Sequence, residues 1–330
     1  MTAEQLVDAY KWMTLSRVVD ERAFTLQRQG RLGTFSPTKG QEASVVGSAM
    51  ALTVGQDWIV PQYRELGACL VHGLPLDLWF MYWMGNMSGG RIPDDVRILP
   101  VQISLASQLP HAVGLAWARR LQNLDDVAIA YFGDGASSEG DFHEALNFAG
   151  VLRAPAIFFL QNNGWAISTP RSAQTAASSF ASRAQGYGVA SATVDGNDVV
   201  AVYEVTKEAV ARARADEGST LIESITYRLG PHNTADDHTR YVAEGEMEAM
   251  AEFDPIVRLR THLISQGLWD EHRDTELLAG HARRAQHAAE TAEARRPHYS
   301  QVFDHVFARP TQRLARQAAE TARRHGQEPS

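Results

Sequence analysis

Asp134 lies between Gly133 and Gly135, and Asn163 lies between Asn162 and Gly164; each string follows a short apolar run. Asp134 offers a hard anionic oxygen and Asn163 a neutral amide oxygen. Mg²⁺ takes one or two side-chain oxygens and completes its shell with other oxygens, often those of a substrate's phosphates. Asp134, Asn163 and a nearby backbone carbonyl could therefore hold Mg²⁺ against a diphosphate. The glycines let the backbone turn sharply and approach a ligand closely. Amide groups at the start of a following helix favour a phosphate. Arg64, in the run Gln62-Tyr63-Arg64-Glu65, carries the planar fork of donors that suits a phosphate, or equally a surface salt bridge. The polar stretch from Arg228 to Tyr241 holds His232 and His238 with Asp236 and Asp237. Histidine suits proton transfer near neutral pH, although composition alone also fits a solvent loop.

Competing chemistries fail on spacing. A dinucleotide fingerprint needs glycine at the third position after Gly133-Asp134-Gly135, where Ser138 stands. No G-x-x-x-x-G-K-[ST] string occurs. His143-Glu144 would need a second histidine four residues after the first, and that residue is Asn147. Lys39 beside Gly40-Gln41 reads as an ordinary exposed lysine rather than an anion site.

The elements that must position these residues follow from periodicity. Val127–Phe132 and Ala156–Leu160 are short apolar runs rich in β-formers, hence buried strands. Phe142, Ala145, Leu146 and Ala149 recur at helical spacing within Ser138–Val151. Strand, helix and strand in that order make a βαβ unit with parallel strands, and ligands of such sheets sit beyond the carboxyl ends of the strands. Asp57–Pro61, Ala190–Asp195 and Ser219–Tyr227 read as further strands. Ala3–Gln29, Gln41–Leu52, Leu74–Met84, Ile103–Leu121 with Pro110 inside it, and Asn197–Asp216 read as helices, the last capped by Asn197 or Asp198. Ser168–Tyr187 reads as a linker and a helix, and Gly85–Pro100 as a loop. Glu244–Phe253, Pro255–Gln266 and Glu271–Arg295 are separate helical patterns, and the tail after Pro310 is basic and frays into HGQEPS. The fold class is α/β, a mostly parallel sheet flanked by helices. The organisation is an N-terminal helical extension over 1–40, an α/β domain over 41–243 and a C-terminal helical region over 244–330.

A chain of 330 residues, 44% hydrophobic and 21% charged, can bury a large core. Its net charge of −8 speaks against nucleic acid as a partner. The one cysteine, Cys69, excludes an internal disulfide framework and fits a reducing compartment. The N-terminus lacks the basic region and apolar core of a signal peptide, and no apolar stretch is long enough to span a bilayer. These features fit a cytoplasmic protein with no membrane partner.

The GDG string, a helix-length gap and the NN pair together resemble the thiamine diphosphate motif. The wider text, YFGDGASSEGDFHEALNFAG and QNNGWAISTP, resembles the E1α subunit of 2-oxo acid dehydrogenase complexes from about Gly30 to near the C-terminus. Val194–Ala209 and Asp254–Glu271 look most like the branched-chain enzyme, while Gly230-Pro231-His232 also resembles some bacterial pyruvate dehydrogenase chains. The resemblance implies a diphosphate-binding fold with extra N- and C-terminal helices. It implies Mg²⁺ held by Asp134, Asn163 and the Trp165 carbonyl. Tyr63, Arg64 and the backbone of Gly135 and Ala136 would contact the diphosphate. Ile103 and Leu105 would lie against the aminopyrimidine, with Leu105 propping the cofactor into its bent shape. His232 would contact the cofactor and assist proton transfer. A potassium ion is implied near Gln102, Ser104, Ser107 and Gln108. Gln161 stands where some relatives carry a basic residue, and Asn233 where mammalian members carry a phosphorylated serine. Thr234 and Thr239 are other hydroxyls of that loop.

Only the diphosphate-binding half of a cofactor site is present. The resemblance assigns the other half, with its glutamate, to an E1β chain in an α2β2 assembly, so the isolated chain should be inactive. The implied activity is that of a 3-methyl-2-oxobutanoate dehydrogenase: oxidative decarboxylation of branched-chain 2-oxo acids, with acyl transfer to the lipoyl domain of E2. Pyruvate or acetoin dehydrogenase E1α is the alternative within the class. A non-catalytic subunit that stabilises E1β is the alternative outside it.

Overall fold

The computed structural model describes residues 1–304 and 306–325. Helix α1 (Ala3–Arg28) opens with a complete capping box between Thr2 and Gln5 and leads through an irregular stretch to α2 (Glu42–Met50). Strand β1 (Trp58–Val60) is followed by α3 (Leu66–Val71), α4 (Leu76–Trp83) and α5 (Gln108–Leu121). The central unit is β2 (Ala128–Gly133), a 3₁₀ turn Asp134–Ser138, α6 (Gly140–Leu152) and β3 (Ala156–Asn162). A two-residue hairpin, β4 (Trp165–Ala166) and β5 (Thr169–Pro170), precedes the one-turn α7 (Arg171–Gln174). Then come β6 (Ala190–Asp195), α8 (Val199–Arg214) and β7 (Thr220–Ile225), followed by α9 (Glu246–Ala251), α10 (Pro255–Ser265), α11 (Glu271–Ala294) and α12 (Gln312–Arg324).

Five strands form one sheet in the order β1-β2-β3-β7-β6, and every pairing is parallel. The period-two alternation of strand side chains divides the core into two layers. Ile129, Tyr131, Ile157, Phe159 and Ile222 face a cluster built with α1, α2, α3, α4, α8, α10 and α11. Ala128, Ala130, Phe132, Phe158, Leu160 and Leu221 face a second cluster built with α5 and α6. Cys69 is buried in the first cluster and unpaired. No helix among the described residues is long and apolar enough to cross a membrane.

Two local expectations need correction, and a choice between two caps is resolved. The helix expected over Ile103–Leu121 begins only at Gln108, which places Pro110 in its first turn, where a missing N–H costs nothing. The five residues before it are irregular, and Ala106 has a positive φ of 63°. Of the two caps offered for α8, Asp198 is the one used, accepting from the amides of Val200 and Ala201. The tail after Pro310 forms a thirteen-residue helix capped by Thr311. Of the string HGQEPS, all but His325 lies outside the described residues.

Candidate functional site

Four adjacent strands, β1, β2, β3 and β7, end on the same side of the sheet, as parallel strands must. Their carboxyl ends open into one cavity of about 740 Å³. The cavity is lined by Tyr63, Arg64, Ile103, Leu105, Asp134, Gly135, Ala136, Asn163, Trp165 and His232, every side chain and backbone unit singled out for the cofactor and the metal.

Asp134 follows the last residue of β2 and is buried. One carboxylate oxygen accepts from Gln174 Nε2 at 2.8 Å, and the amides of Gly135 and of Asp134 itself also donate to the group. Burial raises its pKa, opposed by those donors and by Arg228. The two asparagines after β3 have different tasks. Asn162 Nδ2 donates to Glu223 Oε1 at 2.8 Å, so it ties β3 to β7. Asn163 turns to the cavity, its Oδ1 accepting from the Trp165 amide at 3.2 Å and its Nδ2 donating to Gln41 Oε1 at 3.3 Å. Gly164, with φ of 82°, lets the chain double back so that β4 lies against the 3₁₀ turn. A Cβ on Gly135 would stand 2.8 Å from that of Ala166.

Arg64 is buried and spends its donors on the Pro37 carbonyl at 2.7 Å, the His232 carbonyl at 2.6 Å and His232 Nδ1 at 2.9 Å. A guanidinium cannot accept, so Nδ1 is the acceptor and the proton of the neutral imidazole sits on Nε2. Burial, then the charges of Arg64 and Arg228, push the His232 pKa down to about 3. Tyr63 meets the His232 ring edge to face, with centroids 6.3 Å apart. The loop that carries His232 is pinned by Asp236, which accepts from the His232 amide at 2.7 Å and from the Tyr241 hydroxyl. His238 lies outside the cavity lining. Thr234 is occupied in a two-way bridge to the Phe35 backbone, and Thr239 is exposed and donates to Asp237.

Ile103 and Leu105 are 52% and 39% exposed at the rim, so they are not core residues. Of Gln102, Ser104, Ser107 and Gln108, Ser107 Oγ donates to the Ser104 carbonyl at 3.0 Å, whereas Gln108 turns inward to the Tyr131 carbonyl at 2.7 Å. Among the described residues no three His, Cys, Asp or Glu side chains gather as a metal site.

The lining residues not assigned to the site from sequence include Gln41, Gln62, Glu65, Arg228 and Ile167. Glu65 is buried and accepts from the amides of Gln62 and Arg64, both at 2.9 Å, and from Gln161 Nε2 at 2.7 Å. Burial raises its pKa. Gln161 thus serves Glu65 rather than standing free. Arg228 reaches the carbonyls of Gly230 and Ile167 and the Tyr241 hydroxyl. The signal for Glu65 and Arg228 was position, since each lies in the segment that leaves a strand, β1 ending at Val60 and β7 at Ile225.

The cavity fits a polyanion. Gln41 Nε2, Gln62 Nε2, Gln161 Oε1 and Arg228 Nη1 are buried polar atoms of the lining with no hydrogen-bond partner. Such groups cost about 1–3 kcal/mol each unless a ligand or water satisfies them. Arg64 and Arg228 make no direct ion pair among the described residues; Glu65 and Asp20 act on Arg64, and Asp134 and Asp236 on Arg228, only through longer-range attraction. Asp134 supplies a carboxylate oxygen in a cavity that Asn163 and Trp165 also line, and carboxylate, amide and backbone carbonyl oxygens are a donor set that suits a hard cation already bound to phosphates.

Residues 10–300 match the model of the family described as dehydrogenase E1 component. The chain is 49% identical over 270 residues to the 3-methyl-2-oxobutanoate dehydrogenase subunit alpha of Mycobacterium tuberculosis, covering 82% of this chain and 73% of the relative. It is 47% identical over 279 residues to a pyruvate dehydrogenase E1 component subunit alpha of Staphylococcus aureus, covering 84% and 75%.

Proposed function

Because the chain belongs to the dehydrogenase E1 component family, we propose that it is the α subunit of a branched-chain 2-oxo acid dehydrogenase E1. In this reading it decarboxylates branched-chain 2-oxo acids and passes the acyl group to the lipoyl domain of E2. The observation that supports it most is the meeting of Arg64, Asp134, Asn163, Arg228 and His232 around one cavity, together with the 49% identity to a 3-methyl-2-oxobutanoate dehydrogenase subunit.

Membership of the family implies thiamine diphosphate as cofactor and E1β and E2 as partners. When bound, thiamine diphosphate supplies the electron sink for loss of CO₂ from a 2-oxo acid. The chain's residues bind and orient. Asp134, Asn163 and the Trp165 carbonyl hold Mg²⁺. Tyr63, Arg64 and the backbone of Gly135 and Ala136 hold the diphosphate, with Arg228 as a second cation. Ile103 and Leu105, exposed at the rim, shape the region of the aminopyrimidine. His232 holds a proton at Nε2, because Arg64 fixes Nδ1 as the acceptor. An anion beside Arg64 and Arg228 offsets the charges that depress the His232 pKa, which raises the value toward the working range of a proton donor. The remaining half of the site comes from E1β in an α2β2 assembly working in the cytoplasm. Potassium would sit near Gln102, Ser104 and Ser107, where Ser107 Oγ already meets the Ser104 carbonyl.

The deciding experiment is co-expression with the E1β chain, followed by comparison of decarboxylation of 3-methyl-2-oxobutanoate and pyruvate with thiamine diphosphate and Mg²⁺. A higher kcat/KM for the branched substrate is expected. Preference for pyruvate, the substrate named by the Staphylococcus aureus relative, would keep the cofactor site and replace the substrate. An apolar pocket discriminates one methylene by only about 1–3 kcal/mol, so the measurement must be quantitative.

A further inference from the structure

The cavity shows one face of the Asp134–Ser138 turn; the other face is held by a residue that does not line the cavity. Arg183, in the 3₁₀ segment Ala181–Tyr187, donates from Nη2 to the Ser137 carbonyl at 2.8 Å and from Nη1 to Ser137 Oγ at 2.9 Å. Nη2 also donates to His143 Nε2 at 3.0 Å, and the guanidinium lies over the Phe142 ring, 4.8 Å from its centroid. His143 Nε2 is therefore an acceptor, its proton is on Nδ1, and Nδ1 bonds the Tyr187 hydroxyl at 2.6 Å. Ser137 is fully buried, and no backbone amide donates to its carbonyl among the described residues. Without Arg183 that carbonyl is an orphan directly behind Ala136, which lines the cavity. Arg183 has no ion-pair partner among the described residues; its acceptors are all neutral.

We propose that Arg183 is a positioning residue for cofactor binding: its clamp on Ser137 fixes the turn that presents Asp134, Gly135 and Ala136, and its uncompensated charge favours an anion on the far side. Tyr187 and His143 hold the guanidinium in place. The inference rests on the thiamine diphosphate reading above.

The test uses the assembled complex with E1β. Binding of thiamine diphosphate with Mg²⁺ is measured by calorimetry for the parent, R183Q, R183K and S137A, alongside binding of unphosphorylated thiamine and Tm. R183Q should weaken thiamine diphosphate on the order of tenfold, the scale of a lost hydrogen bond from a charged group. R183K, which keeps the charge and loses the fork, and S137A, which loses one arm of the clamp, should each lose a few-fold. Thiamine affinity should stay at the parental value, and kcat at saturating cofactor should fall far less than affinity. Parental affinity in R183Q overturns the assignment, as does an equal loss toward thiamine, which would mark a general structural role. If R183Q does not assemble, R183K and S137A decide by the same criterion. A parent complex that binds no thiamine diphosphate overturns the cofactor reading itself, and this assignment with it.

Discussion

Gly135→Ala tests the geometry of the site most sharply. The added Cβ would lie 2.8 Å from the Cβ of Ala166, closer than carbon atoms approach in real structures, and 3.5 Å from its Cα. Gly135 does not have a positive φ, so the conflict is steric alone. Relief requires β4 to move off the 3₁₀ turn by roughly 0.8 Å to reach ordinary carbon contact of about 3.6 Å. Overpacking of this size costs about 1–3 kcal/mol. The displacement falls on Trp165 and Ala166, so the Trp165 carbonyl separates from Asp134. Mg²⁺ demands near-ideal octahedral distances, and metal sites tolerate about 0.2 Å. We expect thiamine diphosphate and Mg²⁺ binding to weaken by at least about tenfold, that is about 1.4 kcal/mol, with Tm lowered by a few degrees. Gly140→Ala is the control, because a Cβ there meets nothing within 4 Å. The double variant G135A/A166G removes the atom struck and should recover most of the affinity. The assay is calorimetric titration of the assembled complex. Parental binding by G135A, or no recovery in the double variant, would refute the claim that β4 and the turn set the metal geometry.

The other predictions concern the charged groups. Asp134→Asn should abolish Mg²⁺-dependent binding of thiamine diphosphate in the assembled complex while Tm falls little, since the buried carboxylate is held at the cost of desolvation; retained binding would move the metal elsewhere. The His232 pKa is depressed from 6.5 to about 3. Its contribution to stability is therefore fully present above pH 6.5 and is lost as pH falls toward 3, so His232→Gln should narrow the difference in Tm between pH 7 and pH 5. A difference equal to the parent's would show that His232 titrates normally. Arg228→Gln should raise the pH midpoint at which His232 loses reactivity toward diethyl pyrocarbonate, read peptide by peptide, because one of the two depressing cations is gone. Glu65→Gln replaces an acceptor of three hydrogen bonds with a group that must also donate; a loss of about 1–3 kcal/mol in stability is expected from urea denaturation.

The central βαβ unit was legible because local rules agree with the tertiary fold there: apolar β-formers end at glycine, and α6 carries its apolar residues at helical spacing. Ile103 and Leu105 were legible as members of the site by resemblance alone, since their spacing read as helix. The structure starts that helix five residues later, at a first turn that accommodates Pro110, and the residues before it turn outward to the rim. The helix at Gln312–Arg324 was missed because its apolar stripe is mostly alanine among arginines, a weak hydrophobic signal.

What the sequence determined by itself is the chemical inventory: a carboxylate, an amide, an arginine and a histidine, each in a segment that leaves a strand. These are local facts, fixed by residue type and by the few residues around it. What only the tertiary structure decided is their meeting. The order β1-β2-β3-β7 brings residues 64, 134, 163 and 232 to one opening, although strand β6 and helix α8 come before β7 in the chain. Such an order depends on pairings between distant segments, which no local spacing records. The same holds for the proton on His232, set by Arg64 from 168 residues away, and for the clamp of Arg183 on Ser137 from 46. A side chain's protonation and orientation follow from its neighbours in space, and those neighbours exist only once the sheet has formed.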